Sequence, residues 1–109
     1  MTATLPPILA AMLAAHNAHD TTAFLDCFAD DAVVRDEGRV HFGKAAIRAW
    51  FDEVVHRYSP VFEVSDLALQ DGEPVLHGRV AGKFDGSPLP LRYFAAIEDE
   101  KLVALKIAP

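Results

Sequence analysis

The spacing of apolar residues along the chain changes period near Pro60. Before it, they recur at helical intervals. Leu5, Ile8, Leu9, Met12, Leu13 and His16 share one stripe of a helix expected over residues 5–18. Pro6 and Pro7 fall in its first turn, where proline is tolerated. Asp20 is a suitable N-cap for a second helix whose apolar face is Phe24, Cys27 and Phe28. Asp30 and Asp31 are expected to end it. Residues 32–36 then read as a short strand, Glu37-Gly38 as a turn, and residues 40–42 as a returning strand. Ile47, Trp50, Phe51, Val54, Val55 and Tyr58 form the apolar face of a third helix that starts after Gly43 and stops at Pro60. Its opposite face, with Lys44, Arg48, Asp52, His56 and Arg57, is expected to be solvated.

After Pro60 the pattern alternates. Phe62, Val64, Leu67 and Leu69 mark one strand, and Asp71-Gly72 a hairpin turn. Leu76, Gly78, Val80, Gly82 and Phe84 lie on one face of the next strand, with His77, Arg79, Ala81 and Lys83 on the other. Asp85-Gly86 is a second hairpin signal. Leu89, Leu91, Tyr93, Ala95 and Ile97 share the inward face of a further strand. Asp99-Glu100 turns the chain into a last strand carrying Val103, Leu105 and Ile107. Three helices with a small hairpin, followed by a four-strand meander, predict one α+β domain over residues 1–109. Helices pack on a strongly curved, mostly antiparallel sheet, a cone that leaves an apolar cavity on one side. Gly78 and Gly82 mark bending or close approach.

Composition narrows the functional classes. The chain has 109 residues, 51% apolar and 24% charged, enough for a core without disulfide or metal staples. The net charge is −6 and the basic residues are scattered, so nucleic acid is not an expected partner. The single Cys27 forms no internal disulfide, which points to the cytoplasm. The apolar stretch 5–15 is short and lacks a basic flank, so neither a signal peptide nor a membrane span is expected. His41, His56 and His77 sit on separate elements, without the spacing of a metal site. No phosphate loop or nucleophile elbow occurs, and no cofactor or metal is expected.

Three stretches carry a resemblance: residues 20–28, FADDAVVRD at 28–36, and GKAAIRAWF at 43–51. With the terminal meander they resemble the SnoaL-like, ketosteroid-isomerase-like branch of the nuclear-transport-factor-2-like superfamily, over nearly the whole chain. The resemblance implies the cone fold and a homodimer through the outer face of the sheet, where His77 and Arg79 would lie. It places Asp36 at the position of the isomerases' general base. The isomerases' oxyanion tyrosine corresponds to Met12, which cannot donate a hydrogen bond, and their protonated aspartic acid corresponds to Tyr93. These two departures argue against steroid isomerisation.

Each candidate has two readings. Asp36 caps the turn at Glu37-Gly38, or is a base whose pKa rises in an apolar cavity. His16 is a satisfied core histidine, or a proton partner for Asp36. Tyr93 is a core tyrosine, or a donor to a substrate oxygen. Met12, Phe24, Trp50, Phe51, Tyr58, Phe62 and Phe84 supply core and cavity wall, undivided by sequence alone. The chain is then a cofactor-independent isomerase, cyclase or dehydratase acting on an apolar carbonyl compound, or a noncatalytic apolar-ligand binder or dimeric scaffold. An enzyme needs Asp36 in an open cavity with a proton partner. A scaffold would bond Asp36 to its own turn and fill the cavity.

Overall fold

Two prolines open the first helix. In the computed structural model, which describes residues 5–109, Pro6 is the N-cap and α1 runs Pro7–Ala18. Proline suits this position because the first amides of a helix have no partner inside it. His19 ends α1 in the left-handed conformation, with its backbone N–H bonded into the last turn. Asp20 caps α2 (Thr21–Asp26), its carboxylate accepting from the Ala23 amide at 3.1 Å. α3 spans Lys44–Tyr58 and stops at a left-handed Ser59, one residue before Pro60.

The second helix is shorter than its apolar spacing suggests. It ends at Asp26, not at Asp30 and Asp31, and Phe28 already belongs to β1 (Phe28–Asp36). The Leu102 amide donates to the Cys27 carbonyl at 2.8 Å, which draws the chain into the sheet. The register of β1 then slips between Phe28 and Val33, letting Asp30 and Asp31 stay exposed inside a strand while Phe28, Ala32 and Val34 are buried.

The remaining strands are β2 (Arg39–Phe42), β3 (Val61–Gln70), β4 (Glu73–Ala81), β5 (Leu89–Glu98) and β6 (Lys101–Ala108). They form one curved, unclosed sheet in the order β2-β1-β6-β5-β4-β3. Every neighbouring pair is antiparallel except β1 with β6. Two-residue turns make three of the hairpins. Glu37-Gly38, Asp71-Gly72 and Asp99-Glu100 all have positive φ at both residues, the geometry that matches strand twist. β4 stops at Ala81, short of the expected Phe84, because residues 82–88 leave the ladder. There the Lys83 amide bonds the Tyr58 carbonyl at 2.7 Å, tying this loop to the end of α3.

Curvature has a local cause. β3 carries a bulge between Val64 and Asp66, opposite Gly78. A Cβ at Gly78 would overlap the Glu63 carbonyl, so only glycine lets the strands approach so closely. The helices cover the concave face. Phe24 and Phe51 stack there with centroids 4.0 Å apart, and Met12, Ile47 and Leu102 have no exposed surface. No described helix is long and apolar enough to cross a membrane.

Candidate functional site

A cavity of about 230 Å³ lies between the C-terminal halves of α1 and α3 and the sheet. Its wall is mostly apolar, with Trp50, Val54 and Tyr58 from α3, Leu89, Leu91 and Tyr93 from β5, and Phe84 and Ile107. His16 and Asp36 also line it. Such a surface, with few polar groups, is the usual character of a small-molecule site, though the volume lies below the roughly 300 Å³ at which drug-sized pockets begin. It suits a compact ligand.

Asp36 reaches the wall because it is the last residue of β1, where the chain turns at Glu37-Gly38. Trp50 lies across from it on α3, and its indole N–H donates to Asp36 Oδ2 at 3.1 Å. Burial pushes the Asp36 carboxyl above its ordinary value of 3.8, and the neighbouring Glu37 adds to this. The Trp50 bond, the charge of His41 and a backbone bond from Glu37 oppose the rise. Asp36 therefore does touch its turn, as a cap would. It is nevertheless held on the cavity wall by a side chain from another element.

His16 and Tyr93 form a second polar pair. His16 Nε2 lies 3.0 Å from the Tyr93 hydroxyl, across 77 residues of sequence. His16 Nδ1 lies 2.8 Å from Asn17 Oδ1. Burial holds His16 below the usual imidazole value, partly offset by its bond to Asn17. Burial likewise pushes the Tyr93 phenol well up, and the charge of Asp36 pushes it further. Both rings are neutral under ordinary conditions. Tyr93 also stacks on Phe62, with centroids 4.1 Å apart. His16 Nε2 is paired with the Tyr93 hydroxyl, so the His16–Asp36 dyad, one of the two readings of His16, is not formed.

The structure divides the residues that sequence left together. Trp50, Tyr58 and Phe84 line the cavity with Asp36, His16 and Tyr93. Met12, Phe24, Phe51 and Phe62, also expected on the wall, lie in the closed core, none more than 2% exposed. The reason is the direction of each side chain, since helix faces that look alike in sequence point into different neighbours. Val54, Leu89, Leu91 and Ile107 were not singled out as wall residues. The first continues the i, i+4 series from Trp50 to Tyr58, the next two share the alternation of Tyr93, and Ile107 is the cross-strand partner of Tyr93. The helical and alternating spacings are legible in the sequence, whereas the pairing of Ile107 with Tyr93 is not. Asn17 gave no signal.

Away from the cavity, Cys27 and His19 are bonded into the fold. Cys27 is buried, its thiol donates to the Ala23 carbonyl at 3.5 Å, and burial raises its pKa. His19 bonds the Pro60 carbonyl at 2.8 Å. Among the described residues no group of histidine, cysteine or carboxylate side chains has the geometry of a metal site.

A family profile described as the SnoaL-like domain matches residues 9–104 of the 109. The chain belongs to the SnoaL-like family. Solved structures agree. A "putative polyketide cyclase" from Sinorhizobium meliloti is 35% identical, with 94% of each chain covered and a TM-score of 0.90. A "hypothetical protein with ketosteroid isomerase-like protein fold" from Catenulispora acidiphila, in complex with trimethylamine, is 18% identical, covers 97% of this chain and 87% of its own, and has a TM-score of 0.83. An "NTF2-like protein of unknown function" from Cytophaga hutchinsonii is 9% identical, with coverages of 98% and 92% and a TM-score of 0.77. No curated protein matches the chain. This SnoaL-like domain thus has the nuclear-transport-factor-2-like cone fold of the superfamily.

Proposed function

We propose that this SnoaL-like protein binds a compact apolar carbonyl compound and moves a proton on it, with Asp36 as general base and no cofactor. The observation that carries the reading is the carboxylate itself. It is fixed by the Trp50 indole on the wall of an apolar cavity shared with Tyr93 and His16. A carboxyl pushed upward by burial is a stronger base than one in water, and so better matched to proton transfer near neutrality. Asp36 takes a proton from the carbon beside the carbonyl, and the electron pair moves onto the carbonyl oxygen. Returning the proton to the same carbon gives exchange, and to another carbon isomerisation. Attack of the carbanion on a second carbonyl gives cyclisation. The relative 35% identical to this chain and named a putative polyketide cyclase supports the last course.

The experiment is hydrogen exchange in D2O. Small cyclic ketones and lactones are incubated with the protein, and loss of the α-proton NMR signal is followed. The expected result is catalysed exchange by the wild type and none by Asp36→Asn. A second reading, binding without turnover, is favoured by Met12, since the helix-one position that would carry an oxyanion donor is apolar and closed in the core. Saturable binding with exchange equal in both proteins would select it. The outer sheet face holds a groove of about 350 Å³ lined by Val33, Val75 and Phe94 together with charged Arg35, Glu73 and Lys106, and Val40 and Phe42 on β2 are exposed. A homodimer through this face is part of the proposal, to be tested by light scattering.

A further inference from the structure

The backbone of β3 dictates where the protons sit in the cavity wall. Phe62 offers two groups whose roles are fixed: its N–H donates and its carbonyl accepts. The Phe62 amide donates to Asn17 Oδ1 at 2.8 Å, and Asn17 Nδ2 donates to the Phe62 carbonyl at 3.0 Å. The Asn17 amide is therefore oriented without ambiguity, since the reversed amide would set donor against donor and acceptor against acceptor. Asn17 Oδ1 faces His16 Nδ1 at 2.8 Å and has only lone pairs to offer. His16 Nδ1 must then carry the hydrogen. In a neutral imidazole that leaves Nε2 with a lone pair, so the bond of 3.0 Å to Tyr93 is one in which the phenol donates. The chain runs one way: Tyr93 to His16 to Asn17.

We propose that Asn17 is a positioning residue that fixes this direction, so that Tyr93 meets a ligand as a hydrogen-bond acceptor and the cavity prefers a carbonyl compound that also bears a hydroxyl. The Tyr93 hydrogen is committed to His16, and its remaining lone pairs accept. Asp36, when ionised, also accepts. The two polar stations of the wall thus call for donors, a phenolic, enolic or alcoholic O–H at Tyr93 and an acidic C–H at Asp36. Turning the Tyr93 hydrogen toward a ligand carbonyl would strand a buried Nε2 lone pair. This inference rests on the Asp36 reading for the C–H, while the direction of the chain stands without it.

The test joins two measurements on the intact protein. Nitrogen-15 NMR of the His16 ring reads the tautomer directly. Binding and α-proton exchange are then compared for meta- and para-hydroxyacetophenone and their methyl ethers, which keep the carbonyl and the exchangeable methyl but lack the donor. The expected result is an unprotonated Nε2 and a protonated Nδ1, with at least one hydroxy compound bound about tenfold more tightly than its ether. Asn17→Leu removes the acceptor for His16 Nδ1, and loses both the tautomer and the preference. Should the leucine variant not fold, the wild-type ring spectrum and the wild-type comparison of phenols with ethers still decide. A protonated Nε2 overturns the inference, even where Asp36-dependent exchange is intact. The expected tautomer with equal binding of phenols and ethers overturns the ligand preference. The expected tautomer and preference without Asp36-dependent exchange supports the inference and overturns only the general-base reading.

Discussion

Trp50 and Phe51 are adjacent in sequence and serve opposite ends. Phe51 has no exposed surface and stacks on Phe24, with the His16 ring tilted against it at a centroid distance of 5.8 Å. Trp50 looks into the cavity and spends its indole N–H on Asp36. The same split divides α1, where Met12 is sealed into the core and His16, one turn later, reaches the cavity. Each helix thus changes employment along its length, from closed packing to a wall with polar groups. The closed region should respond to substitution through stability. The cavity should respond through chemistry, with a smaller cost to the fold than the core. Four perturbations can break or sharpen that contrast.

The largest effect belongs to the core. Phe51→Ala should destabilise the protein by about 3–5 kcal/mol, read from urea denaturation, because both the ring and its stack on Phe24 are lost. A cost near that of a surface substitution would mean that the core is not closed there. Next comes Asp36→Asn. Exchange of ligand α-protons should fall by about 10²–10⁴-fold, while the denaturation midpoint stays near wild type, since an amide oxygen can still accept from Trp50. A variant that unfolds would show Asp36 to be structural.

Tyr93→Phe should cost about 1–3 kcal/mol, because the buried His16 Nε2 loses its donor. A fully silent substitution would show that the pair contributes nothing to the fold. The smallest effect is in acid. His16 is held below its ordinary 6.5 in the folded protein, so the unfolded chain binds its proton first. Stability from this group is complete above 6.5 and falls as pH drops from there toward the folded value. Asp36 runs the other way. Its folded pKa is raised, so its contribution is complete below 3.8 and is lost as pH rises from there through the folded value. Comparing the pH dependence of stability for the wild type and His16→Gln isolates the histidine. The decline below 6.5 should be weaker in the variant.

Much of this architecture is legible in the sequence. The change of period at Pro60 separates helices from meander, and the Asp-Gly, Glu-Gly and Asp-Glu pairs mark three hairpins that the structure contains. The end of α2 is not legible, because a strand carrying Asp30 and Asp31 on its exposed side does not alternate until the Phe28–Val33 slip is known. The site is legible in part. Asp36, His16 and Tyr93 could be named, but their pairing could not, since the His16–Tyr93 bond spans the whole fold and Asp36 answers to Trp50 instead. Wall and core could not be separated either. Helical spacing reports that Trp50 and Phe51 are both turned inward, but not which of the two meets a partner that fills the space.

The most direct test of the central claim is the pKa of Asp36, followed by carboxyl-carbon NMR with and without small enolisable ketones and lactones. The account predicts a midpoint above the ordinary 3.8 that moves when a ligand is added. A midpoint at or below 3.8, indifferent to every ligand, would contradict it and leave Asp36 as a residue of the turn.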